Sequence, residues 1–465
     1  MSQLALRAYH FLPPFARTLA ATVHGYTLRQ WRYGPDTDEL ADEALRRERW
    51  EPDRFRSWQE DRLARLLHTA AMRVPYYRNQ WAERRRRGDR ADVEVLENWP
   101  ILAKEQVRHH PAAFLVEGCD PRSMYKDHTS GTTGTPLTLW LTRETVRSWY
   151  ALYEARTRRW HGVTRHDRWG LLGGQPVVRP GQRSAPFWVW NGGLNQLYLS
   201  AMHIAPWSER AYLEAIRKYE LRYLIGYPSS LSYLAQAAEA SGTLLPNLTA
   251  VVTNAEPLYD QQRQAILRGF HCRLQETYGM AEIVCAASEC EHGAMHLWPE
   301  AGVVEIVDDE GRMVPDGTPG RIVATGILNT EMPLVRYDTR DRGQLKGDRT
   351  PCACSRSLPV LEKVWGRYDD QIVTADGRRP VLLDRIFDPP VHVREGQIIQ
   401  EAIGRFRIRV VPTGGWSDAD RGLLSRSLAA IVGEADITIE LVESIERTWA
   451  GKFRIIISQV GKARS

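Results

Sequence analysis

The stretch Lys126-Asp-His-Thr-Ser-Gly-Thr-Thr-Gly-Thr-Pro-Leu137 decides how this chain is read. Thr132 and Thr133 stand between Gly131 and Gly134, Ser130 precedes them, and Thr135 and Pro136 follow. Such a loop can turn backbone amides and several hydroxyls toward a polyphosphate, because glycine lacks the Cβ that would block both the turn and the close approach. It is not a Walker A loop, since no Gly-Lys-Ser/Thr closes it. A Ser/Thr/Gly surface turn has the same composition, so the segments downstream decide between the two.

Downstream, helical and short apolar segments alternate from Ser208 to Met280: a helix over 209–219, the strand Tyr223-Leu-Ile225, a helix over 231–241, the strand Val251-Val-Thr253 and a helix over 259–269. This alternation predicts a mainly parallel sheet with helices on its faces. In such sheets ligands collect at the carboxyl ends of the strands. Those ends carry Gly226-Tyr-Pro-Ser229, Asn254-Ala-Glu256 and Gln275-Glu-Thr-Tyr-Gly-Met-Ala-Glu282. Residues 300–365 change to β-rich pieces joined by Gly/Asp turns, and a compact α+β unit begins near Gly366. There Ser417 and Asp420 form a capping pair and Gly433 closes a helix.

Upstream, helical spacing runs from Asp38 to Trp81 and makes residues 1–100 a helical arm. The apolar segment from Tyr9 to Tyr26 is broken by Pro13, Pro14, Arg17 and His24, which suits an arm packed on the body rather than a bilayer span. At 465 residues the chain needs more than one core. Lys+Arg at 62 against Asp+Glu at 57 is too balanced to point to nucleic acid. The run Arg84–Arg87 is expected to be a solvated helix end. Six cysteines in a chain of this size do not make a secreted disulfide framework, and a cytoplasmic location is expected.

Five motifs in order, His128-Thr-Ser-Gly-Thr-Thr-Gly-Thr-Pro136, Glu276-Thr-Tyr-Gly-Met-Ala-Glu282, Tyr337-Asp-Thr-Arg-Asp341, Gly366-Arg-Tyr-Asp-Asp370 and Ala450-Gly-Lys-Phe-Arg454, resemble the AMP-forming adenylate superfamily. The phenylacetate–CoA ligase and CapK-like branch looks most similar, and only the first 60 or so residues fall outside the likeness. The resemblance implies an α/β fold: a large N-terminal domain (1–365) of mainly parallel sheets with helices and a small β-rich subdomain, then a small mobile α+β lid (366–465). It implies an enzyme that adenylates a carboxylic acid with ATP, releases pyrophosphate and passes the acyl group on, with CoA favoured as acceptor. An amine or sugar-linked acceptor, and a non-catalytic nucleotide-binding homologue, are the alternatives. A homodimer is compatible with either.

By the same resemblance Ser130, Gly131, Thr132, Thr133, Gly134 and Thr135 would hold the β- and γ-phosphates. Glu276, Thr277, Tyr278 and Gly279 would line the adenine, with Asn254, Ala255 and Glu256 as the opposite wall. Asp341 would accept the ribose hydroxyls, a carboxylate having two acceptor oxygens for a diol. Arg367 would reach the ribose or phosphate. Lys452, Glu282 and Thr277 would be catalytic, Glu282 through Mg²⁺, a cation that prefers carboxylate and phosphate oxygens. Arg340 stands where the family usually has Gly. Tyr227, Pro228, Trp188, Trp190 and Tyr198 are candidates for an acyl pocket.

Cys290, His296, Cys352 and Cys354 offer three soft thiolates and an imidazole, a set suited to tetrahedral structural zinc, and similar placements occur in the phenylacetate–CoA ligase-like group. His292 is an alternative nitrogen donor. Cys119, Cys272 and Cys285 read as small buried hydrophobes.

Overall fold

A computed structural model describes residues 3–129, 136–347, 350–367, 372–378, 380, 383–388, 391–448 and 451–460. The expected phosphate loop, 130–135, therefore lies outside the described residues, as do 368–370 and 450 of the later motifs.

Five helices open the chain: α1 (Gln3–Phe11), α2 (Pro14–Arg32), α3 (Thr37–Arg47), α4 (Pro52–Arg73) and α5 (Pro75–Arg86). Proline at the first turn starts α2, α4 and α5, where its missing N–H costs no helical bond. The basic run closes α5, and its arginines pair with Glu83 and Asp89, as a solvated helix end should. After the short α6 (Lys104–His109), the hairpin β1 (Tyr125–His128) and β2 (Thr138–Leu141) brackets the phosphate-type loop. Thr129 N–H donates to Leu137 O at 3.2 Å and Leu137 N–H to Thr129 Oγ1 at 3.0 Å, so both ends of that loop are fixed. α7 (Arg143–Tyr153) follows, capped by the Thr142 hydroxyl.

The main sheet has eight strands in the order β10-β9-β8-β7-β6-β3-β5-β4. They are β3 (Trp169–Gly173), β4 (Trp188–Asn191), β5 (Gln196–Ser200), β6 (Tyr223–Gly226), β7 (Ala250–Thr253), β8 (Arg273–Gly279), β9 (Ala286–Glu289) and β10 (Met295–Leu297). The inner strands β5, β3, β6, β7 and β8 are parallel, and β4, β9 and β10 add antiparallel margins. Every residue of β6 and β7 is buried, as parallel strands covered on both faces require. α8 (Glu209–Lys218), α9 (Pro228–Ser241) and α10 (Asp260–Phe270) make the crossovers. α9 starts three residues before the sequence suggests: Pro228 occupies its first turn and draws Ser229 and Ser230 into the helix.

The β-rich region is an antiparallel sheet of β11 (Gly302–Val307), β12 (Gly320–Gly326), β13 (Tyr337–Leu345) and β14 (Leu361–Arg367). The last unit has its own core, with Ile398, Phe406, Ile408, Leu424 and Leu428 fully buried or nearly so. It consists of β15 (Val393–Ala402), β16 (Arg405–Pro412), α11 (Asp418–Val432), β17 (Asp436–Leu441) and β18 (Ile456–Ser458). The Ser417 amide and hydroxyl both donate to Asp420 Oδ2, at 2.8 and 2.9 Å, and so start α11.

The N-terminal arm is only half packed. α2 lies against β4, where Gly25 leaves room for Asn191 that a Cβ would fill, while Phe15, Leu19 and Val23 face outward.

Candidate active site

The end of β8 and the middle of β13 meet through one bond between side chains 63 residues apart. Tyr278 Oη donates to Asp341 Oδ2 at 2.9 Å. Asp341 pairs in register with Arg367 on β14, so the expected adenine-side tyrosine, ribose-side carboxylate and guanidinium share one corner. Burial pushes the Asp341 carboxyl upward, and the Arg367 guanidinium opposes that rise. Arg340, just before it, takes φ +66°, a left-handed conformation that accounts for the usual glycine here. Its amide donates to Asp338 Oδ1 at 2.9 Å and its guanidinium reaches Glu105, so the turn forms without glycine.

Glu282 sits just past the same strand end and is buried. Its Oε1 accepts from Lys104 Nζ at 2.9 Å and from Tyr337 Oη at 2.7 Å. Asp127, on β1 beside the phosphate-type loop, is close enough to feel it: burial, reinforced by the Glu282 charge, holds the Asp127 carboxyl above its usual range. Two carboxylates in one low-dielectric spot suit a hard divalent cation. Ile283, next in the chain, has φ +54°, which a β-branched residue rarely tolerates. Ala255, at the end of β7, has φ +64°. Strained positions of this kind persist only where their surroundings enforce them, and here three of them border one cleft.

The remaining wall residues are more committed. Thr277 Oγ1 donates to Thr253 O at 2.7 Å, and the Asn254 amide donates to Gly226 O at 3.0 Å. Glu276 accepts from Arg263 and from the Leu258 amide, and burial, together with Glu289, raises its carboxyl to about 7 against the Arg263 charge. Glu276 thus braces β8 rather than facing a ligand alone. Glu256 is used differently from the expected adenine wall. Its carboxylate accepts from the Ser229 amide at the start of α9 and from the Phe453 amide in the C-terminal unit.

That second bond fixes the residue after Lys452. Gly451 has φ +76°, and a Cβ there would come within 3.2 Å of Gly174 Cα and 3.6 Å of Tyr227 Cε2, so glycine allows the loop to enter the cleft. Burial lowers the Lys452 ammonium, with Arg367 adding to the effect, while Glu256, Asp341 and Glu282 oppose it. Groups from residues 256, 282, 341, 367 and 452 therefore share one electrostatic neighbourhood.

The acyl-pocket candidates divide. Trp190 stacks on Tyr219 and Trp188 packs edge-on to Tyr212, so both belong to the core under α8. Pro228 is structural in α9. Tyr227 borders Gly451, and Tyr198 Oη overlies Gly173 and accepts from the Gln175 amide at 3.1 Å.

Sequence reasoning passed over Lys104, Asp127 and Tyr337 as neighbours of Glu282. Lys104 stands 178 residues before its partner and has no motif spacing to mark it. Asp127 and Tyr337 lie inside quoted motifs, and their flanking positions were the available signal.

A second cluster lies beyond the other end of the β8–β9 ladder. The ligand atoms of Cys290, His296, Cys352 and Cys354 all fall within 4.8 Å of one another. Cys290 Sγ and Cys352 Sγ are 3.7 Å apart, too far for a disulfide and close to the ~3.8 Å edge of a tetrahedral zinc–thiolate site. His296 Nε2 is 3.2 Å from Cys354 Sγ, and Nδ1 contacts Leu358 O at 3.1 Å, which orients the ring as metal-binding imidazoles usually are. The group includes His296 and not His292. Of the other cysteines Cys285 is buried, whereas Cys119 is half-buried and donates to Glu331 at 2.7 Å, so it is no simple hydrophobe. Arg356 ties the cluster to the arm, pairing with Glu48 at 3.0 Å and stacking on Trp160.

Comparison with known proteins bears on the family and the fold. CapK of Staphylococcus aureus is 22% identical over 80% of this chain and 82% of its own length. A phenylacetate–coenzyme A ligase of Thermus thermophilus is 25% identical over 87% and 89%. A 2-hydroxyisobutyryl-CoA ligase in its postadenylation state, in complex with R3-HIB-AMP, superposes with a TM-score of 0.68 at 20% identity, covering 90% of this chain and 92% of that one. The same ligase in its thioesterification state gives 0.55. Residues 373–459 match the CapK C-terminal domain. With residues 54–332, over half the chain, matching the family model for the AMP-binding enzymes, this chain belongs to that family.

Proposed function

We propose that this protein is an acid–thiol ligase that activates a carboxylic acid with ATP and passes the acyl group to CoA. The observation that carries it is the convergence of Lys452, Glu282, Asp341, Arg367 and Tyr278 on one buried cleft, although they come from three separate parts of the fold. In the first step a carboxylate oxygen attacks the α-phosphorus of ATP, the bond to the β-phosphate oxygen breaks, and pyrophosphate leaves. Two anions must meet, so cationic groups aimed at the charge that develops supply the main acceleration. Lys452 would hold the oxygen bridging acyl group and phosphorus, as a point charge on a long stem that one lid position delivers. Asp341 would exchange its bond from Tyr278 for the ribose hydroxyls. Glu282 would hold Mg²⁺, which neutralises phosphate charge when bound. In the second step the thiol loses its proton to solvent, its sulfur attacks the acyl carbon, the bond from that carbon to the phosphate oxygen breaks, and AMP departs with the electron pair.

The Glu256–Phe453 bond and the higher TM-score with the postadenylation state support reading this arrangement as the adenylating one. For Cys290, His296, Cys352 and Cys354 we propose a structural zinc site, since four protein ligands leave no open position. A second reading passes the acyl group to an amine or sugar-linked acceptor instead.

Pyrophosphate release from ATP across a panel of carboxylic acids tests the first step, and release with at least one acid is expected. No release with any acid, in protein that binds ATP, would leave only a nucleotide-binding homologue. CoA and hydroxylamine added separately then divide thiol from amine transfer.

A further inference from the structure

One feature lies outside this chemistry. On α2 the side chains of Phe15, Leu19, Val23 and Tyr26 are 76%, 64%, 61% and 53% exposed, and Phe11, at the end of α1, is 81% exposed. At 100° per residue the four on α2 fall within an arc of about 80°, one continuous stripe. The opposite arc holds the half-buried Ala21 and Leu28 and the buried Arg17 and Gly25, and α2 packs on β4 and α7. Elsewhere among the described residues, exposed large apolar side chains such as Met72, Trp207, Leu244 and Met313 come singly along the chain. Single ones are ordinary, whereas a stripe marks a contact surface.

The charge around the stripe selects its occupant. Residues 1–35 carry four arginines and no Asp or Glu; the first acid is Asp36. Arg29 is exposed on α2 about 40° from the edge of the stripe, and Arg7 is exposed on α1. This one-sided charge contrasts with the near balance of the whole chain. An exposed apolar stripe whose only charged neighbours are cations suits a helix that lies in the interface of an anionic bilayer. No described helix is long and apolar enough to cross a membrane, so the contact would be made lying flat. We propose that α1 and α2 dock the protein on an anionic lipid surface, with Phe11, Phe15, Leu19 and Val23 entering the headgroup boundary and Arg7 and Arg29 meeting lipid phosphates. The catalytic cleft would then work beside a membrane, where long-chain or lipid-linked substrates reside.

Co-sedimentation of the full chain with vesicles tests this. The unmodified protein is expected to pellet with phosphatidylcholine vesicles that also carry phosphatidylglycerol, and far less with phosphatidylcholine alone. Raising the salt should release it, each exposed arginine contributing about fivefold to partitioning. The double variant Phe15→Ser, Leu19→Ser should bind about a hundredfold more weakly, with unchanged near-ultraviolet dichroism as the folding control. Absence of binding to anionic vesicles, binding indifferent to salt, or equal binding by the double variant would overturn the proposal. So would a concentration-dependent dimer that the double variant dissolves, because the stripe would then belong to a second copy. The salt series needs no variant, so a folding failure cannot protect the idea.

Discussion

The β8–β9 ladder ends in two polar clusters that use their charges in opposite ways. At one end the cleft holds Asp341, Glu256, Asp127 and Lys452 with their charged forms disfavoured by burial, and their partners compensate only in part. At the other end Cys290, His296, Cys352 and Cys354 point their donor atoms at a single spot, braced by Leu358 O and Arg356. The first cluster holds its groups short of neutrality, and the second would be complete with one ion. The latter begins at Cys290, one residue past β9 and three beyond the Ala287 that pairs with Tyr278, and we propose that it braces the far end of the ladder.

The comparison can be broken most directly at Lys452. Lys452→Ala should slow pyrophosphate release by about 10²–10³-fold while ATP affinity stays near that of the unmodified protein. Near-normal release would show that the ammonium is not part of the chemistry. At the other end, Cys352→Ser should leave less than about 0.2 zinc per chain and lower the unfolding free energy by about 2–5 kcal/mol, read by metal analysis and denaturant melts. If metal content falls and stability does not, the cluster is not a brace.

Glu276, between the two clusters, gives a pH test. Folding raises its pKa from the ordinary 4.5 to about 7, so the folded state holds the proton more tightly. Its contribution to stability is fully present below pH 4.5 and fades as the pH rises to about 7. Glu276→Gln should therefore flatten the fall in stability across that window, and an unchanged slope would assign the proton elsewhere. Arg340→Gly should do least. Relief of the left-handed strain, about 1 kcal/mol, is offset by the greater freedom of glycine in the unfolded chain, so a change within about 0.5 kcal/mol and unaltered ATP binding are expected. A large loss of ATP affinity would give the Arg340 guanidinium a role in the cleft.

Much of this was legible in the chain because it is local. Strand ends, turn glycines and motif order announced β6 to β8, and the pairs Cys290/His296 and Cys352/Cys354, read with the family likeness rather than from their spacing, pointed to the second cluster. What stayed hidden depends on chain reversal. Nothing near Lys104 says that it will pair with Glu282, and nothing near Glu256 says that its carboxylate will hold the amide of Phe453, 197 residues later. Burial also decided between equal-looking aromatics: Trp188 and Trp190 were drawn under α8, while Tyr227 was left beside Gly451.

β4 is one of the two edge strands of the main sheet, and α2 shields it, with the Thr22 hydroxyl accepting the Gly192 amide at 3.0 Å. A protein shortened to begin at Thr37 would uncover that margin and its tryptophans, and unguarded margins of this sort recruit copies of themselves into aggregates. The opening helices thus act as a hem for the sheet, and their outer surface should be altered by substitution, never by trimming.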